Sequence, residues 1–262
     1  MSFIQMLLIA VIQGVTEFLP ISSSGHLILL PKLAELPDQG PLIDVAVHIG
    51  SLLAIIIYFW RDVRGLAQGG FATIGIGKAP DQRNLFLWIV LGTIPAVAVG
   101  FLLKDMLEEF RSTHLVAVNL IVYGILLGIA DRFGKEERSY ENLTLRDAII
   151  VGCAQALALV PGTSRSGVTM TAARFLGYKR VEAARFSFLL SIPAVAGAGT
   201  LVALELADAT AQMQMDALIT GALTFVAAFA TMAFLMNFLR KATMMVFVVY
   251  RVALGVALLA FF

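Results

Sequence analysis

The amino-acid sequence predicts an all-α, polytopic membrane protein with six transmembrane helices, two re-entrant helix–loop–helix pairs and an inverted-topology repeat. Composition is the first indication, because 59% of the 262 residues are hydrophobic and only 14% are charged, against about 25% charged in an ordinary soluble domain. The second is a series of apolar stretches close to the length of about 20 residues that a helix needs to cross a bilayer. The third is a pair of apolar segments interrupted by prolines, glycines and polar residues.

Six stretches qualify as transmembrane spans. Three contain no charged residue and are long enough as they stand: Leu85–Leu103, Phe186–Leu204 and Ala217–Leu239. Two others, Val45–Trp60 and Leu115–Ala130, are shorter and reach the required length with their flanking residues. The last, Ala242–Phe262, also qualifies, although Arg251 interrupts it.

Two further apolar segments, Phe3–Leu30 and Ala148–Leu176, do not have the pattern of a single span. The interruptions are Glu17, Pro20 and residues 22–26 in the first segment, and residues 161–167 in the second. Irregular, polar backbone at membrane depth is tolerated only where protein or a wet cavity surrounds it. Each segment is therefore predicted to be a helix–loop–helix pair that enters and leaves the membrane on one side.

The two interrupted segments also indicate an internal repeat. Residues 13–25 and 155–167 have the same length, and both end in Ser-x-Ser-Gly. Further pairs follow in the same order, while the offset shrinks from 142 residues (13 to 155) to 127 (123 to 250). We expect a single membrane domain, 1–262, built from repeats at approximately 1–135 and 146–262. Three crossings in each half would invert the second repeat, an arrangement that can place broken helices around a buried polar site.

The distribution of basic residues predicts the orientation. With six spans, fourteen lysines and arginines fall on one side of the membrane and only Lys32, Lys104 and Arg111 on the other. The positive-inside rule makes the rich side, which includes Arg174, cytoplasmic and puts both termini outside. A net charge of +1 offers no surface for nucleic acid. The single cysteine, Cys153, excludes an internal disulfide and is expected to be a small buried residue.

The polar residues of the two interruptions are candidates for a functional site. The first segment carries Glu17, Ser22, Ser23, Ser24 and His26, and the second carries Ser164, Arg165, Ser166 and Thr169. Ionisable groups at membrane depth are costly unless they are paired or hydrated, so a functional role is the default hypothesis for them.

The residue types suit a phosphate group. Arg165 has a planar donor fork for phosphate oxygens, and hydroxyls with N–H groups at a glycine-containing loop form an anion cradle. Glu17 is a candidate general base, His26 a proton donor or acceptor, and a neighbouring serine a candidate nucleophile. The competing interpretation is structural. Serines in membrane helices often bond only to backbone, and a Glu17–Arg165 ion pair would explain both segments without catalysis.

Three other polar residues have less specific patterns. Asp44 and His48 are four residues apart, so they share a helix face that lines the outer mouth of the site or caps the helix. Arg251 either supports the site or extends to the membrane interface. No cluster of His, Cys and Asp has the spacing of a zinc site.

Two motifs resemble those of the undecaprenyl-diphosphate phosphatase family, the bacitracin-resistance proteins of bacteria. The family motif (E/Q)-x3-E is matched by Gln13 and Glu17, with Phe18-Leu19-Pro20-Ile21-Ser22-Ser23-Ser24-Gly25-His26 after it. The second motif, P-G-x-S-R-S-x2-T, is matched by the residues from Pro161 to Thr169. The likeness extends along the whole chain, as far as Tyr250-Arg251 in the last span.

The resemblance implies hydrolysis of a C55 isoprenyl diphosphate to its monophosphate, which recycles the lipid carrier for peptidoglycan synthesis and confers bacitracin resistance. It implies the catalytic residues Glu17, Ser23, His26 and Arg165. It implies the substrate-binding residues Ser22, Ser24, Gly162, Thr163, Ser164, Ser166 and Thr169. It also implies a divalent cation, Mg²⁺ or Ca²⁺, at Gln13 and Glu17. Many members carry Glu at position 13, and Gln keeps an oxygen ligand but loses the charge.

Two alternatives remain open on the sequence alone. A lipid flippase or secondary transporter could use the same inverted-repeat site. An intramembrane serine protease would also need Ser and His, although Arg165 suits phosphate better than a peptide carbonyl. The expected partners are a polyprenyl diphosphate lipid and the surrounding membrane lipid, and a homodimer is compatible with the sequence.

Overall fold

The computed structural model describes residues 1–23, 25–27, 40–103, 106, 110, 112–206 and 209–261, with the backbone alone described for the helical residues 198–206. Four residues singled out in the sequence, Ser24, Lys32, Lys104 and Arg111, lie outside the described residues. Over the described ranges the chain forms helices and short connections without a β-strand. The all-α prediction is confirmed.

The helices are, in chain order, α1 (Phe3–Thr16), α2 (Pro41–Tyr58), α3 (Trp60–Thr73), α4 (Pro80–Leu103), α5 (Thr113–Phe133), α6 (Leu145–Leu157), α7 (Arg165–Phe175), α8 (Arg180–Leu206), α9 (Ala211–Phe238) and α10 (Met245–Phe261). One turn of 3₁₀ helix, Tyr140–Asn142, precedes α6. Six of these helices, α2, α4, α5, α8, α9 and α10, occupy the six predicted spans.

Length and exposure identify these helices as membrane elements. α2, α4, α5 and α9 have 18, 24, 21 and 28 residues and are apolar enough to cross a bilayer, while α8 has 27 residues and α10 has 17. Their outer faces expose large apolar side chains, for example Leu53, Ile94, Val122, Val226 and Val249. Apolar surface on this scale indicates contact with lipid. The chain is a multi-pass membrane protein.

The two interrupted segments contain only short helices. α1 has 14 residues, α6 has 13 and α7 has 11, and at about 1.5 Å per residue none reaches the roughly 30 Å of a hydrocarbon core. α1 ends before Glu17, and residues 23 and 25–27 are helical again after a turn. Residues 158–164 separate α6 from α7. The predicted breaks at these two places are confirmed.

Small residues let two of the short helices pack directly against long ones. A Cβ added at Gly14 of α1 would lie 2.6 Å from the Cβ of Ala227 in α9, and one at Gly152 of α6 would lie 2.0 Å from the carbonyl oxygen of Gly92 in α4. Such close backbone approach is typical of helix packing in membranes. α1 and α6 are therefore held rigidly, so the loop that follows each of them starts from a fixed point inside the bundle.

A buried ionic cluster surrounds the end of α7 that lies away from Arg165. Arg174 is fully buried and donates to the carbonyls of Asp131, Gly134 and Tyr178 at 3.1, 3.0 and 2.5 Å, which satisfies acceptors at the end of α5. The Asp131 carboxylate also pairs with Arg180 at 2.6 Å. Arg174 itself belongs to α7, and the carboxylates of Asp131 and Glu136 each lie 3.5 Å from its guanidinium.

A second ionic group fixes the connection between α5 and α6. Arg138 binds both carboxylate oxygens of Asp147, at 3.1 and 2.5 Å, and the Tyr178 hydroxyl donates to the same carboxylate at 2.8 Å. Burial and this hydrogen bond raise the pKa of the Tyr178 hydroxyl above its usual range, so it remains a donor at any physiological pH.

The connection that follows the first span contains α3, whose Asp62 forms an ion pair with Arg185 at 2.5 Å. One expectation from the sequence was wrong. Cys153 is exposed rather than buried, because it lies on the outer face of α6 beside the exposed residues Ile149 and Ile150.

Candidate active site

The two loops share an uncommon backbone feature. Ser22 has φ 78° and Ser164 has φ 71°, and they are the only non-glycine residues with positive φ in the part of the chain that the structure describes. In each loop the hydroxyl of this serine accepts from an N–H three residues on, that of Gly25 at 3.3 Å and that of Gly167 at 3.1 Å. A left-handed conformation is costly for a residue with a Cβ, and it persists where the surroundings enforce it, often at functional sites.

Side chains at the start of α7 reach the first loop. Arg165 Nη2 donates to Glu17 Oε1 at 2.6 Å, and Ser166 Oγ donates to the carbonyl of Leu19 at 3.1 Å. Arg165 Nη1 also makes a longer bond, 3.4 Å, to the carbonyl of Ser187 in α8. The structure therefore brings polar residues of both interruptions into one cluster inside the bundle.

Glu17 is the centre of this cluster. Its side chain is only 8% exposed, and its carboxylate accepts three hydrogen bonds. Arg165 binds Oε1, while Oε2 accepts from Ser23 Oγ at 2.7 Å and from Gln13 Nε2 at 3.1 Å. The Ser23–Glu17 distance is within the range expected of a nucleophile and its general base. Three of the four predicted catalytic residues, Glu17, Ser23 and Arg165, are thus linked through one carboxylate.

His26, the fourth predicted catalytic residue, is held by other partners. Its Nδ1 lies 2.7 Å from the carbonyl oxygen of Ser22, and its Nε2 lies 2.7 Å from the hydroxyl of Tyr250. Because a carbonyl can only accept, Nδ1 carries the proton and Nε2 accepts from the tyrosine. The imidazole is thereby held in one tautomer, against the backbone of the residue that precedes Ser23.

Arg251 joins both loops to α10. It is fully buried, and its guanidinium donates to the carbonyl of Pro20 at 3.0 Å in the first loop and to those of Gly162 and Thr163 at 3.0 and 2.9 Å in the second. It also bonds to two carbonyls of α5 at 3.3 and 3.4 Å. Of the two roles considered from the sequence, its position is that of a residue supporting the site, and Arg251 does not extend to the interface.

The hydroxyls predicted to bind substrate are largely engaged within the protein. Five of the predicted substrate-binding residues are at most 5% exposed: Ser22, Thr163, Ser164, Ser166 and Thr169. Thr169 Oγ1 donates to the Arg165 carbonyl at 2.8 Å and lies 2.6 Å from Ser187 Oγ. Thr163 Oγ1 is buried without a hydrogen-bond partner in the described part of the chain. Substrate contacts of these residues and of Gly162 stay predictions.

Comparison with known proteins decides the family. A family model described as bacitracin resistance protein BacA matches residues 6–257 of this chain. The chain belongs to the BacA family. Among the relatives, an undecaprenyl-diphosphatase of Erythrobacter litoralis (strain HTCC2594) is 64% identical over the full length of both chains. One from Alteromonas mediterranea is 48% identical over 100% of this chain and 99% of its own, and one from Alcanivorax borkumensis is 48% identical over 99% and 98%. The resemblance inferred from the two motifs is confirmed.

Three residues outside the two BacA motifs contribute to the cluster and were not predicted to do so. Tyr250 binds His26, Ser187 contacts both Thr169 and Arg165, and Asn119 Nδ2 donates to the carbonyl of Pro161 at 2.9 Å. Serine and asparagine are common enough in membrane helices that neither carried a signal. Tyr250 did have a recognisable signal in the sequence, because it is adjacent to an arginine in the middle of an apolar span.

His48 lies on α2 in this BacA-family chain. Its Nδ1 lies 2.6 Å from the carbonyl oxygen of Asp44, so in the neutral imidazole Nδ1 carries the proton and Nε2 is the acceptor. Both roles considered for Asp44 and His48, the lining of the outer mouth of the site and the capping of the helix, stay predictions.

Proposed function

We propose that this chain is an undecaprenyl-diphosphatase that hydrolyses the terminal phosphate of undecaprenyl diphosphate and releases undecaprenyl phosphate. The observation that carries the proposal is the contact of one buried carboxylate, Glu17, with a hydroxyl of its own loop, Ser23, and a guanidinium of the other loop, Arg165. These groups supply a base, a nucleophile and an anion-binding fork for phosphoryl transfer. The names of the full-length relatives support the same activity.

Arg165 is the residue that binds the diphosphate. It donates one short bond to Glu17 and one long bond to Ser187, and a guanidinium has five N–H donors in a planar fork, so donors remain for phosphate oxygens. Arg165 is also the first residue of α7. The positive end of this helix therefore lies at the same place and favours an anion there.

Glu17 and Ser23 carry the chemical step. Glu17 takes the Ser23 proton while Ser23 Oγ attacks the terminal phosphorus, and the bond from that phosphorus to the bridging oxygen breaks. Undecaprenyl phosphate leaves as an anion with the electron pair of that bond, and His26, whose proton is donated to the Ser22 carbonyl, positions the turn that precedes Ser23. Water then attacks the phosphoserine, which releases inorganic phosphate and restores the hydroxyl. Direct attack by water is the alternative, in which Ser23 only positions the water.

A divalent cation, Mg²⁺ or Ca²⁺, fits this site as an ion shared with the diphosphate. The described residues contain no group of three or more His, Cys, Asp or Glu that could hold a metal by itself. Gln13 Oε1 is buried and has no hydrogen-bond partner among them, and the amide of Gln13 contacts Glu17. Mg²⁺ is commonly held by one or two carboxylates together with substrate phosphates. We propose that Gln13 and Glu17 would hold the ion, which when bound neutralises charge on the diphosphate oxygens.

The proposal includes the orientation of the protein in the membrane. The basic residues around Arg138, Arg174 and Arg180 mark the cytoplasmic end of the molecule, so the termini lie in the periplasm and the site opens to that side. Arg165 and Arg174 are nine residues apart on one helix, which separates the site from that end by about 13 Å. Hydrolysis on the periplasmic side would recycle the lipid carrier of peptidoglycan synthesis and provide bacitracin resistance.

Phosphate release by the purified full-length protein in detergent tests the proposal. We expect wild-type protein to release phosphate from undecaprenyl diphosphate, and Arg165→Ala to be slower by at least about 10²-fold, because one preorganised donor to a developing anion contributes this much. Arg64→Ala, which removes an exposed arginine of α3, is the matched control and should keep the wild-type rate. Near-normal release by Arg165→Ala would contradict the proposal, and turnover that requires sealed vesicles and a gradient would favour a transporter.

A further inference from the structure

We propose that Tyr250 is a positioning residue of the same site and acts through His26. The inference rests on the proposed function, since it gives a role in that reaction to a residue of α10 outside both motifs. The Tyr250 hydroxyl lies 2.7 Å from His26 Nε2. The two rings are stacked, with centroids 5.8 Å apart and planes within 8°. Both contacts join residues that are 224 positions apart in the chain.

A continuous chain of hydrogen bonds runs from Tyr250 to the turn that precedes Ser23. The tyrosine donates to His26 Nε2, and His26 Nδ1–H donates to the carbonyl of Ser22 at 2.7 Å. Ser22 is the residue in the left-handed conformation. Its carbonyl belongs to the peptide bond that leads into Ser23, so the imidazole restrains the backbone that directs Ser23 Oγ at Glu17.

The Ser22 carbonyl selects the tautomer of His26, and the Tyr250 hydroxyl binds that tautomer as a donor. In the other neutral tautomer the proton would move to Nε2, facing the tyrosine oxygen, and the lone pair of Nδ1 would face the carbonyl oxygen 2.7 Å away. That arrangement opposes two acceptors, so it is disfavoured. Tyr250 therefore donates to Nε2 of a ring whose Nδ1–H is bound to the Ser22 carbonyl, and it orients the imidazole that holds the turn.

The helix that carries Tyr250 is fixed relative to both loops. Arg251, the next residue, is fully buried and donates to carbonyls of each loop, whereas Tyr250 itself is 43% exposed. Two neighbouring residues of α10 thus bind the first loop. Arg251 contacts Pro20, and Tyr250 contacts His26. Because Arg251 holds the backbone of α10 in place, removing the Tyr250 hydroxyl should change the state of His26 without moving the helix.

Kinetics of Tyr250→Phe in the purified full-length protein test the role. The phenylalanine keeps the stacked ring and loses only the hydroxyl. We expect kcat to fall about 10-fold while KM stays within about 2-fold, since a lost hydrogen bond to a positioned imidazole affects the chemical step and not the binding of the lipid. Tyr58→Phe makes the same change in a tyrosine of α2 that packs against Phe59 and Phe229, and it should leave both constants unchanged.

A double-mutant cycle and a spectroscopic signal separate this role from a general structural one. In a His26→Gln background, Tyr250→Phe should cost nothing further, because the residue through which it acts is absent. The chain has three histidines, so ¹⁵N-labelled side-chain signals can be assigned. Tyr250→Phe should shift the Nε2 signal of His26 towards that of a nitrogen without a hydrogen bond and leave His48 and His114 unmoved.

An unchanged kcat in Tyr250→Phe would overturn the inference, whether or not the His26 signal shifts. A full additional loss in the His26→Gln background would also overturn it, because Tyr250 would then act by another route. Wild-type protein that releases no phosphate, while its His26 signal still responds to Tyr250→Phe, would overturn the proposed function and leave the positioning contact supported.

Discussion

The first loop, around residues 17–26, and the second, around residues 158–167, are alike in backbone and different in chemistry. Each follows a short helix that packs on a long one through a glycine. Each contains a serine with positive φ, Ser22 or Ser164, whose hydroxyl accepts from the N–H three residues on. The carboxylate, the imidazole and the candidate nucleophile all belong to the first loop, while the guanidinium belongs to the second.

The difference shows that neither loop forms the candidate site alone. Gln13 in α1 donates to Glu17, whereas Gln155, at the equivalent place in α6, has Leu159 four residues on and both of its buried amide atoms lack partners in the described structure. Arg251 on α10 clamps both loops, while Gly124 faces it from α5, where a Cβ would lie 3.1 Å from the Cβ of Arg251. Similar scaffolds therefore hold complementary charges, and the site exists only where the two loops meet.

The largest expected effect comes from exchanging the charges between the loops. Glu17→Arg or Arg165→Glu alone leaves like charges buried together and should destabilise the protein by at least about 3 kcal/mol. The double variant should regain much of that stability, measured by thermal unfolding in detergent, and still hydrolyse substrate at least about 10³-fold more slowly than wild type. A double variant with near-wild-type turnover would mean that the ion pair is structural and the loops are interchangeable.

Removing the common clamp should affect both loops. Arg251→Met leaves the carbonyls of Pro20, Gly162 and Thr163 buried without their donor, which we expect to cost about 3 kcal/mol of unfolding free energy and at least about 10-fold in kcat. Arg251→Lys keeps a charge but has a single ammonium, so its unfolding free energy and its kcat should lie between those of Arg251→Met and the wild type. Thermal unfolding beside the exposed-residue control Arg64→Met measures this, and an unfolding midpoint equal to that of the control would show that the clamp is dispensable.

The two buried glutamines should respond differently to the same substitution. Gln13→Leu removes a hydrogen bond to the Glu17 carboxylate, so we expect kcat to fall about 10-fold. Gln155→Leu removes a buried amide that has no partner, so stability should be equal or slightly higher and kcat within about 2-fold of wild type. Steady-state phosphate release measures both. Equal losses in the two variants would remove the functional distinction between the helices.

The smallest effect concerns the two left-handed serines. Ser164→Ala loses an N-cap of α7 and keeps a Cβ in a strained conformation, so it should cost about 1 kcal/mol, whereas Ser164→Gly should cost only a few tenths. Ser22→Ala and Ser22→Gly should show the same order. Unfolding midpoints of the four variants test this, and a glycine that destabilises more than alanine at either position would contradict the backbone equivalence.

The spans and the two breaks could be predicted from the sequence because length and apolarity determine them directly. A contact of Glu17 with Arg165 was considered there as a structural ion pair, the alternative to a catalytic role. A sequence pattern does not indicate which other side chain each residue contacts. Tyr250 lies 224 residues from His26, and no local spacing connects them.

Two details of the fold could not be predicted from the sequence. The charged residues of α3, Arg61, Asp62 and Arg64, are confined to its start and three glycines follow in the rest of the helix, a composition that fits a loop as well as a helix. In the sequence, Arg174 resembles any basic residue at the end of a helix, but its guanidinium replaces the missing helix donors for carbonyls at the end of α5. Burial of this type depends on where the end of α5 and the turn after α7 place their carbonyls, which the residue itself does not indicate.

Chemical rescue of Arg165→Ala tests the central claim most directly, namely that a guanidinium from the second loop acts on a diphosphate beside Glu17 and Ser23 of the first. Phosphate release from undecaprenyl diphosphate would be measured while guanidinium is titrated at concentrations that leave the protein folded. We predict that guanidinium restores part of the lost rate in Arg165→Ala and none in Glu17→Ala. A folded Arg165→Ala protein that guanidinium does not stimulate, or stimulates no more than Glu17→Ala, would contradict the account.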